Sequence, residues 1–88
     1  MLEKQRSKID KIDKELVKLF EERMNTVVEV AQIKKENNIE IFDSSRENLV
    51  IDKVKSYLEN EKLGKYLEEF YKDLMNVSKK YQKEIIEK

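Results

Sequence analysis

One long amphipathic helix constrains this 88-residue chain more than any other feature of its sequence. Between residues 6 and 34, apolar side chains recur three or four positions apart, as on the buried face of an α-helix. They are Ile9, Ile12, Leu16, Leu19, Phe20, Val27 and Val30. The pattern predicts a helix from about Leu2 to Glu36, roughly 50 Å long at 1.5 Å per residue.

The rest of the chain is too short to cover a helix of this length. A compact monomer of this size has a radius of gyration of only about 12 Å. We therefore expect the helix to pack against a second copy of the chain or another protein. An isolated coiled coil is the simpler alternative, but the apolar face is wider than a two-position coiled-coil seam, and further helices follow it.

Two cations interrupt the apolar face of the first helix. On a helical wheel with Leu16 at zero, Arg23 lies at roughly −20° and Lys34 near 0°, while Arg6 lies at the edge, at about +80°. A buried cation is costly unless an anion pairs with it. Internal salt bridges, or a Lys34 that extends outward to water, explain any one of these residues. All of them on one face favour a shared anionic ligand.

The composition excludes several classes of function. With 19 basic and 19 acidic residues the net charge is near zero, which is not the pattern of a nucleic-acid-binding protein. Because Cys and His are absent, thiolate metal sites and histidine general bases are excluded. No apolar run approaches the roughly 20 residues of a membrane span, and no signal peptide follows Met1, so we expect a soluble cytoplasmic protein.

The same composition predicts an all-α fold in a single domain, residues 1–88. One Gly and no Pro is far below ordinary usage and is typical of helical proteins. Asn37-Asn38 suits the end of the first helix, and the alternating segment 39–42 is too short for a strand. A second helix is expected from Ser44 to about Asn60, and a third, after a turn at Gly64, from about Lys65 to Ile86.

Several polar residues of the second and third helices face the predicted core. Ser44 and Glu47 fit a capping box, with Asp43 as the alternative N-cap, so Glu47 either bonds back to Ser44 or accepts a ligand hydroxyl. Arg46 points off the apolar stripe. Ser78 lies within the stripe of the third helix, which consists of Leu67, Phe70, Leu74, Val77, Tyr81 and Ile85. Gln82 lies at its margin, and both either bond to backbone or water or contact a ligand.

The inward polar residues of all three helices suit electrostatic chemistry. They are Arg6, Arg23, Lys34, Glu47, Ser78 and Gln82. They contain no nucleophile beside a base, no carboxylate pair for glycoside hydrolysis and no metal-binding cluster. A site made mainly of cations favours a small, multiply anionic ligand. Catalysis there would rest on positioning and on electrostatic stabilisation of the transition state.

From about Leu2 to Gln82 the chain closely resembles the all-α, three-helix chorismate mutases. Each matched element is weak alone, but their order and spacing on three helices are specific: Arg6, Glu22-Arg23, Lys34, Asp43-x-x-Arg46-Glu47 and Ser78-x-x-x-Gln82. The resemblance implies an intertwined homodimer that rearranges chorismate to prephenate, a pericyclic step towards phenylalanine and tyrosine, without a cofactor. Such a dimer also accounts for the overlong first helix.

The resemblance further implies how the substrate carboxylates are bound. Arg23 would bind one within its own chain's site. Arg6 would bind a carboxylate in the partner chain's site. Ser78 and Arg46 would help to hold a carboxylate.

The resemblance also implies which residues contact the ether oxygen and the ring hydroxyl of the substrate. Lys34 and Gln82 would donate hydrogen bonds to the ether oxygen whose bond breaks, where charge grows in the transition state. Glu47, with the backbone near Asp43, would hold the ring hydroxyl. The family's usual Pro before Asp43 is missing, since Glu40 stands in that loop, and the third helix lies one residue closer to the second than in familiar members.

Two other interpretations compete with a mutase. The family's lyase branch, which eliminates pyruvate from isochorismate, shares the cationic site, but Glu47 suits the hydroxyl of chorismate. A non-catalytic helical dimerisation module is the other, and it does not explain why Arg23 and Lys34 lie on the apolar face of the first helix. We expect no regulatory segment within these 88 residues.

Overall fold

The computed structural model of the protein describes residues 1–87 as three α-helices. Helix α1 spans Glu3–Glu36, α2 spans Ser44–Ser56 and α3 spans Gly64–Glu87, with a short 3-10 helix, Glu61–Leu63, directly before α3. Residues 1–87 contain no strand. The predicted all-α fold of three helices, the first of them long, is therefore confirmed.

The end of α1 follows the asparagine chemistry expected from the sequence. Asn37 caps the helix, and its Nδ2 donates a 2.8 Å hydrogen bond to the carbonyl oxygen of Ile33. Asn38 has a φ of 54°, in the left-handed region that asparagine tolerates better than most residues. This residue turns the chain out of α1 into the connection that leads to α2.

Two details at the ends of α2 differ from the prediction. Asp43, not Ser44, is the N-cap: its Oδ1 accepts a 3.0 Å hydrogen bond from the backbone N–H of Arg46. The capping box of Ser44 and Glu47 is therefore wrong, and the alternative N-cap, Asp43, is confirmed. Helix α2 also ends at Ser56, well before Asn60, because Asn60 instead caps the 3-10 helix by accepting from the N–H of Lys62.

Gly64 was expected to form a turn, but it is the first residue of α3, with an ordinary right-handed φ of −53°. It is buried where α2 and α3 approach each other, and a Cβ there would lie 3.4 Å from Cε of Lys55. That distance is an ordinary van der Waals contact with the end of a flexible side chain, so the packing of the two helices does not require a glycine here. Lys55 also pairs with Glu68 of α3 at 3.1 Å, and Lys72 pairs with the same carboxylate at 3.3 Å.

Helix α3 is the central element, since it packs against both α1 and α2. Each helix contributes one buried apolar side chain to the core: Ala31, Ile51 and Met75. In α1, partly buried residues begin only at Arg23, and residues 1–22 are all exposed. The covered part of α1 is thus its C-terminal part, and the core of one chain is very small.

A wide apolar surface remains uncovered on a single chain. The N-terminal part of α1 exposes about half of each large apolar side chain, for example 53% of Ile9 and 51% of Leu16. The apolar stripe predicted on α3 is split: Leu67, Leu74 and Ile85 are partly buried. Its other members, and Tyr66 beside them, are exposed: Tyr66, Phe70, Val77 and Tyr81.

The overall dimensions reflect this incomplete packing. The Cα radius of gyration is 15.9 Å, against about 12 Å for a compact domain of this length. The principal extents are 54 × 27 × 15 Å, so the length of the molecule is set by α1. None of the helices within residues 1–87 combines the length and apolar character that crossing a membrane requires.

Candidate active site

A cleft lies where α1, α2 and α3 meet, and its volume is about 160 Å³. Three cations and two carboxylates line it, together with apolar residues and two neutral polar side chains. Six predicted site residues are among the lining residues: Arg23, Asp43, Arg46, Glu47, Ser78 and Gln82. The cleft thus brings Arg23 together with residues that lie 20 to 59 positions later in the sequence, from Asp43 to Gln82.

Arg23 enters the cleft from α1 and is held by α3. Its Nη1 donates a 2.8 Å hydrogen bond to Oγ of Ser78, which is 5% exposed. The Ser78 hydroxyl donates in turn to the carbonyl oxygen of Leu74, at 3.0 Å. Ser78 therefore both bonds to its own helix and fixes the guanidinium of Arg23.

Gln82 lies one turn beyond Ser78 on the same face of α3. It is 7% exposed, and its Oε1 is buried without a hydrogen-bond partner among the described residues. An amide carries two donors as well as an acceptor, and it keeps them at every ordinary pH. A neutral donor group is thus placed at the wall of a cleft rich in cations.

The start of α2 supplies the acidic side of the cleft. The side chain of Asp43 is occupied in capping the helix. Oε2 of Glu47 lies 3.0 Å from Nζ of Lys79, so Glu47 forms an ion pair with α3 and does not bond back to Ser44. Arg46 also lines the cleft, although the helical wheel had placed it off the apolar stripe.

Lys34 lies next to the cleft and is not among its lining residues. Its partly buried ammonium donates a 2.8 Å hydrogen bond to the carbonyl oxygen of Ile41, which does line the cleft. An ammonium has three N–H donors, so this bond leaves two for a ligand. Lys34 therefore connects the end of α1 to the segment that precedes α2.

Arg6 is not part of this cleft. It lies in the exposed N-terminal part of α1, about 25 Å along the helix axis from Arg23. The side chain of an arginine cannot cover that distance. Among the predicted site residues, Arg6 is the one that lies far from the cleft of its own chain.

Comparison with known proteins shows which family this arrangement represents. Residues 5–83 match the family described as chorismate mutase type II. The chain belongs to this family. The resemblance inferred from the sequence is thus confirmed.

Two curated relatives of the chorismate mutase type II chain are informative. A chorismate mutase of Methanocaldococcus jannaschii is 30% identical over 83 residues, which cover 93% of this chain and 84% of the relative. A bifunctional chorismate mutase/prephenate dehydratase of Buchnera aphidicola is 47% identical over 49 residues. That match covers 56% of this chain and only 13% of the bifunctional protein.

Two lining residues of this chorismate mutase family member were missed by the sequence analysis, Lys79 and Met75. Lys79 is adjacent to Ser78 and was not considered in the sequence analysis, yet its side chain is only 24% exposed. Met75 is 6% exposed, although it was not in the predicted stripe. The signal that could have found both is the position of Ser78 and Gln82, which already indicated that the buried face of α3 is rotated towards them.

The cleft of the chorismate mutase chain suits a small anion with a polar head. Arg23 and Arg46 can each present a planar pair of N–H donors to a carboxylate. Val27, Val30 and Val50 supply apolar walls beside these cations. The volume of the cleft is below the roughly 300–1,000 Å³ of ordinary ligand sites.

Proposed function

We propose that this chain catalyses the rearrangement of chorismate to prephenate. In this pericyclic step an ether C–O bond breaks while a C–C bond forms within one molecule, so no external group is transferred and no cofactor is needed. The observation that carries the proposal is the convergence of Arg23, Arg46 and Gln82 on one small cleft in a member of the chorismate mutase family. A dianion with a breaking ether bond matches that set.

Two arginines of the chain are proposed to bind the carboxylates of the substrate and so to clamp it in one conformation. Arg23, already oriented by Ser78, binds one substrate carboxylate, and Arg46 with Ser78 helps to hold a carboxylate as well. The clamp forces the substrate into a compact, chair-like conformer in which the reacting carbons are close. Orientation of this kind supplies a large share of the acceleration of an intramolecular reaction.

Lys34 and Gln82 act on the ether oxygen. Negative charge grows there as the C–O bond lengthens, so donors aimed at this atom stabilise the transition state more than the substrate. Removing one such donor costs about 3 to 4 kcal/mol, by analogy with oxyanion holes. Lys34 can keep its bond to the Ile41 carbonyl while it donates to the ligand, because its ammonium has two further N–H groups.

Glu47 accepts a hydrogen bond from the ring hydroxyl of the substrate, assisted by the backbone near Asp43. The first turn of α2 supports this role, because Asp43 fixes its geometry by capping. One carboxylate oxygen of Glu47 pairs with Lys79, so the other is available as an acceptor.

The active form in this proposal is an intertwined homodimer. The uncovered apolar surfaces of α1 and α3 support it, and so does the small volume of the cleft. A second copy would cover α1 and bring its own Arg6 to the site as an additional carboxylate ligand. The isologous contact would create two equivalent sites, each with residues of both chains.

The direct test follows the loss of chorismate absorbance with purified protein. We expect turnover by the wild-type chain, near-complete loss in Lys34→Ala, and retention in Lys35→Ala. Lys35 is the matched control because it is the neighbouring lysine and its Nζ points to the carbonyl of Ile86 instead. Folded wild-type protein without turnover would contradict the proposal and favour a dimerisation module.

Product analysis separates the mutase from the lyase. We expect prephenate from chorismate, and no appreciable pyruvate from isochorismate. Pyruvate as the main product would assign the chain to the lyase reaction. The proposed location is the cytoplasm, which fractionation of cells that express a tagged chain tests.

A further inference from the structure

Lys79 lines the cleft and connects three segments of the chain. It lies on α3 beside Ser78, and its Nζ is 3.0 Å from Oε2 of Glu47 and 4.4 Å from the centroid of the Phe42 ring. The side chains of Lys79 and Glu47 are 24% and 27% exposed, so water screens their attraction only in part. One ammonium thus links α3 to the first turn of α2 and to the segment before it.

We propose that Lys79 is a positioning residue that aims Glu47 at the substrate. The inference rests on the proposed function, in which Glu47 accepts a hydrogen bond from the ring hydroxyl. A glutamate side chain at the start of a helix samples several rotamers, and an ion pair to one oxygen selects among them. Because Lys79 pairs with Oε2, it leaves Oε1 to accept from the ligand.

The Phe42 ring gives the Lys79 ammonium a second contact. A lysine ammonium over the face of an aromatic ring is attracted by the negative electrostatic potential of that face. Phe42 belongs to the segment between α1 and α2. The residue before it, Ile41, accepts a hydrogen bond from Lys34 through its carbonyl oxygen. Two lysines therefore contact this segment at consecutive residues: Lys34 at the backbone carbonyl of Ile41, and Lys79 at the aromatic ring of Phe42.

Lys79 is better placed to orient Glu47 than to bind a substrate carboxylate. Its ammonium already contacts an anion and an aromatic face. Arg46, by contrast, forms no ion pair with any of residues 1–87 and remains available to a carboxylate of the ligand. The loss of Lys79 should therefore act through Glu47.

The first measurement compares Lys79→Met with Lys83→Met. Methionine keeps the length of the apolar stem and removes the charge, and Lys83 is an exposed lysine one turn further along α3. We expect Lys79→Met to lower kcat/KM for chorismate by about two- to fivefold, the upper part of the range of a partly exposed ion pair. The change should lie mainly in KM, because a hydroxyl contact is made in both ground and transition states. Lys83→Met should stay within twofold of the wild type.

The second measurement repeats Lys79→Met in a Glu47→Gln background. If Lys79 acts through the Glu47 carboxylate, its removal there should change kcat/KM by less than twofold, a strongly non-additive result. The conservative Lys79→Arg should recover most of the activity, because a guanidinium can pair with a carboxylate and stack on an aromatic ring. An equal loss in both backgrounds would overturn the positioning role and indicate direct contact with the substrate.

Circular dichroism of each variant verifies the helical fold, and Lys79→Gln replaces Lys79→Met if the latter does not fold. Active wild-type protein together with a fully active neutral Lys79 variant would overturn this inference alone. Wild-type protein that does not turn over chorismate would overturn the proposed function, and the inference with it.

Discussion

Nη1 of Arg23 donates a 2.8 Å hydrogen bond to Oγ of Ser78, across 55 positions of sequence. The Ser78 hydroxyl gives its own proton to the carbonyl oxygen of Leu74, one turn earlier on α3. The hydroxyl is therefore oriented by its own helix, with a lone pair left to accept from the guanidinium. This relationship joins α1 to α3 at the cleft and sets the direction of the arginine that is proposed to bind a substrate carboxylate.

Replacing Ser78 with Ala should therefore reduce catalysis through Arg23. A hydrogen bond to a charged group contributes about 1.5–3 kcal/mol, so we expect kcat/KM to fall by roughly tenfold or more. Steady-state kinetics with chorismate measures this effect. Ser56→Ala is the control, because Ser56 also bonds to a carbonyl of its own helix but lies at the exposed end of α2. Equal kinetics in the two variants would remove Ser78 from the site.

The neutral side chain of Gln82 predicts a simple pH profile. An amide neither gains nor loses a proton between about pH 5 and 8, so the donor to the ether oxygen stays in place. We expect kcat to remain high through neutral pH. A steep loss between about pH 5 and 7 would instead reveal an acid that takes part in the reaction.

Substituting Gln82 with Glu should make that profile strongly pH-dependent. A carboxyl group donates a hydrogen bond only when protonated, and burial favours the protonated form. Gln82 is 7% exposed, so the new carboxyl would be shielded from water. We expect activity at acidic pH that falls as the pH rises through the pKa of the introduced carboxyl group. A variant as active at pH 8 as at pH 5 would show that no donor is needed there.

The uncovered apolar face of α1 predicts a dimer of about twice 10.6 kDa. Light scattering after gel filtration measures this mass. Leu16→Glu places a charge in the middle of the exposed apolar face and should shift the protein towards monomer or unfold it. Ser7→Glu adds the same charge on the opposite side of α1, at roughly 180° from Leu16, and should leave the dimer intact. A folded, active wild-type monomer would contradict the intertwined arrangement.

A mixing experiment tests whether Arg6 serves the partner's site. Arg6 lies about 40 Å along α1 from Lys34, so one straight helix cannot bring both to one small ligand. The Arg6→Ala and Lys34→Ala homodimers should each be nearly inactive. After joint unfolding and refolding, half of the dimers are mixed, and each has one complete site, so about a quarter of the wild-type activity should return. If Arg6 acted within its own chain, the mixture would remain as inactive as its components.

Glu68 should contribute to stability in a pH-dependent way. The pKa of its carboxyl lies below the ordinary 4.5, first because Lys55 hydrogen-bonds to it, with Lys72 adding a second such contact. A lowered pKa in the folded state means that the contribution is complete above pH 4.5 and disappears as the pH falls through the folded-state value.

Urea unfolding of wild type and Glu68→Gln measures this difference. The wild type should be the more stable at pH 7 and at pH 5, by a similar margin, and the margin should shrink at about pH 3. Glu69→Gln changes the neighbouring exposed carboxylate, which forms none of the ion pairs within residues 1–87, and should show a smaller margin at pH 7. A margin that persists unchanged at low pH would mean that the Glu68 ion pairs are not its source.

The periodicity of the sequence predicts the three helices and most of the polar residues at the cleft. The 3.6-residue period fixes which side chains share a face of a helix, so Arg23, Ser78 and Gln82 could be recognised as inward-facing polar groups. The length of α1 followed from the unbroken period, and Asn37-Asn38 marked its end through local backbone preferences. These properties depend on residues within a few positions of one another, which is why the sequence is enough to predict them.

How these helix faces meet depends on the packing of the three helices against one another. A helical wheel gives angles about the axis of one helix and carries no information on how α3 is rotated relative to α1. It therefore could not show that, within the apolar stripe of α3, Leu74 is partly buried while Phe70 is exposed. The pairing of Lys79 with Glu47 and the bond from Lys34 to the Ile41 carbonyl have the same origin. Long, flexible side chains take the partner that the packing of distant segments places within reach, and local sequence does not encode that distance.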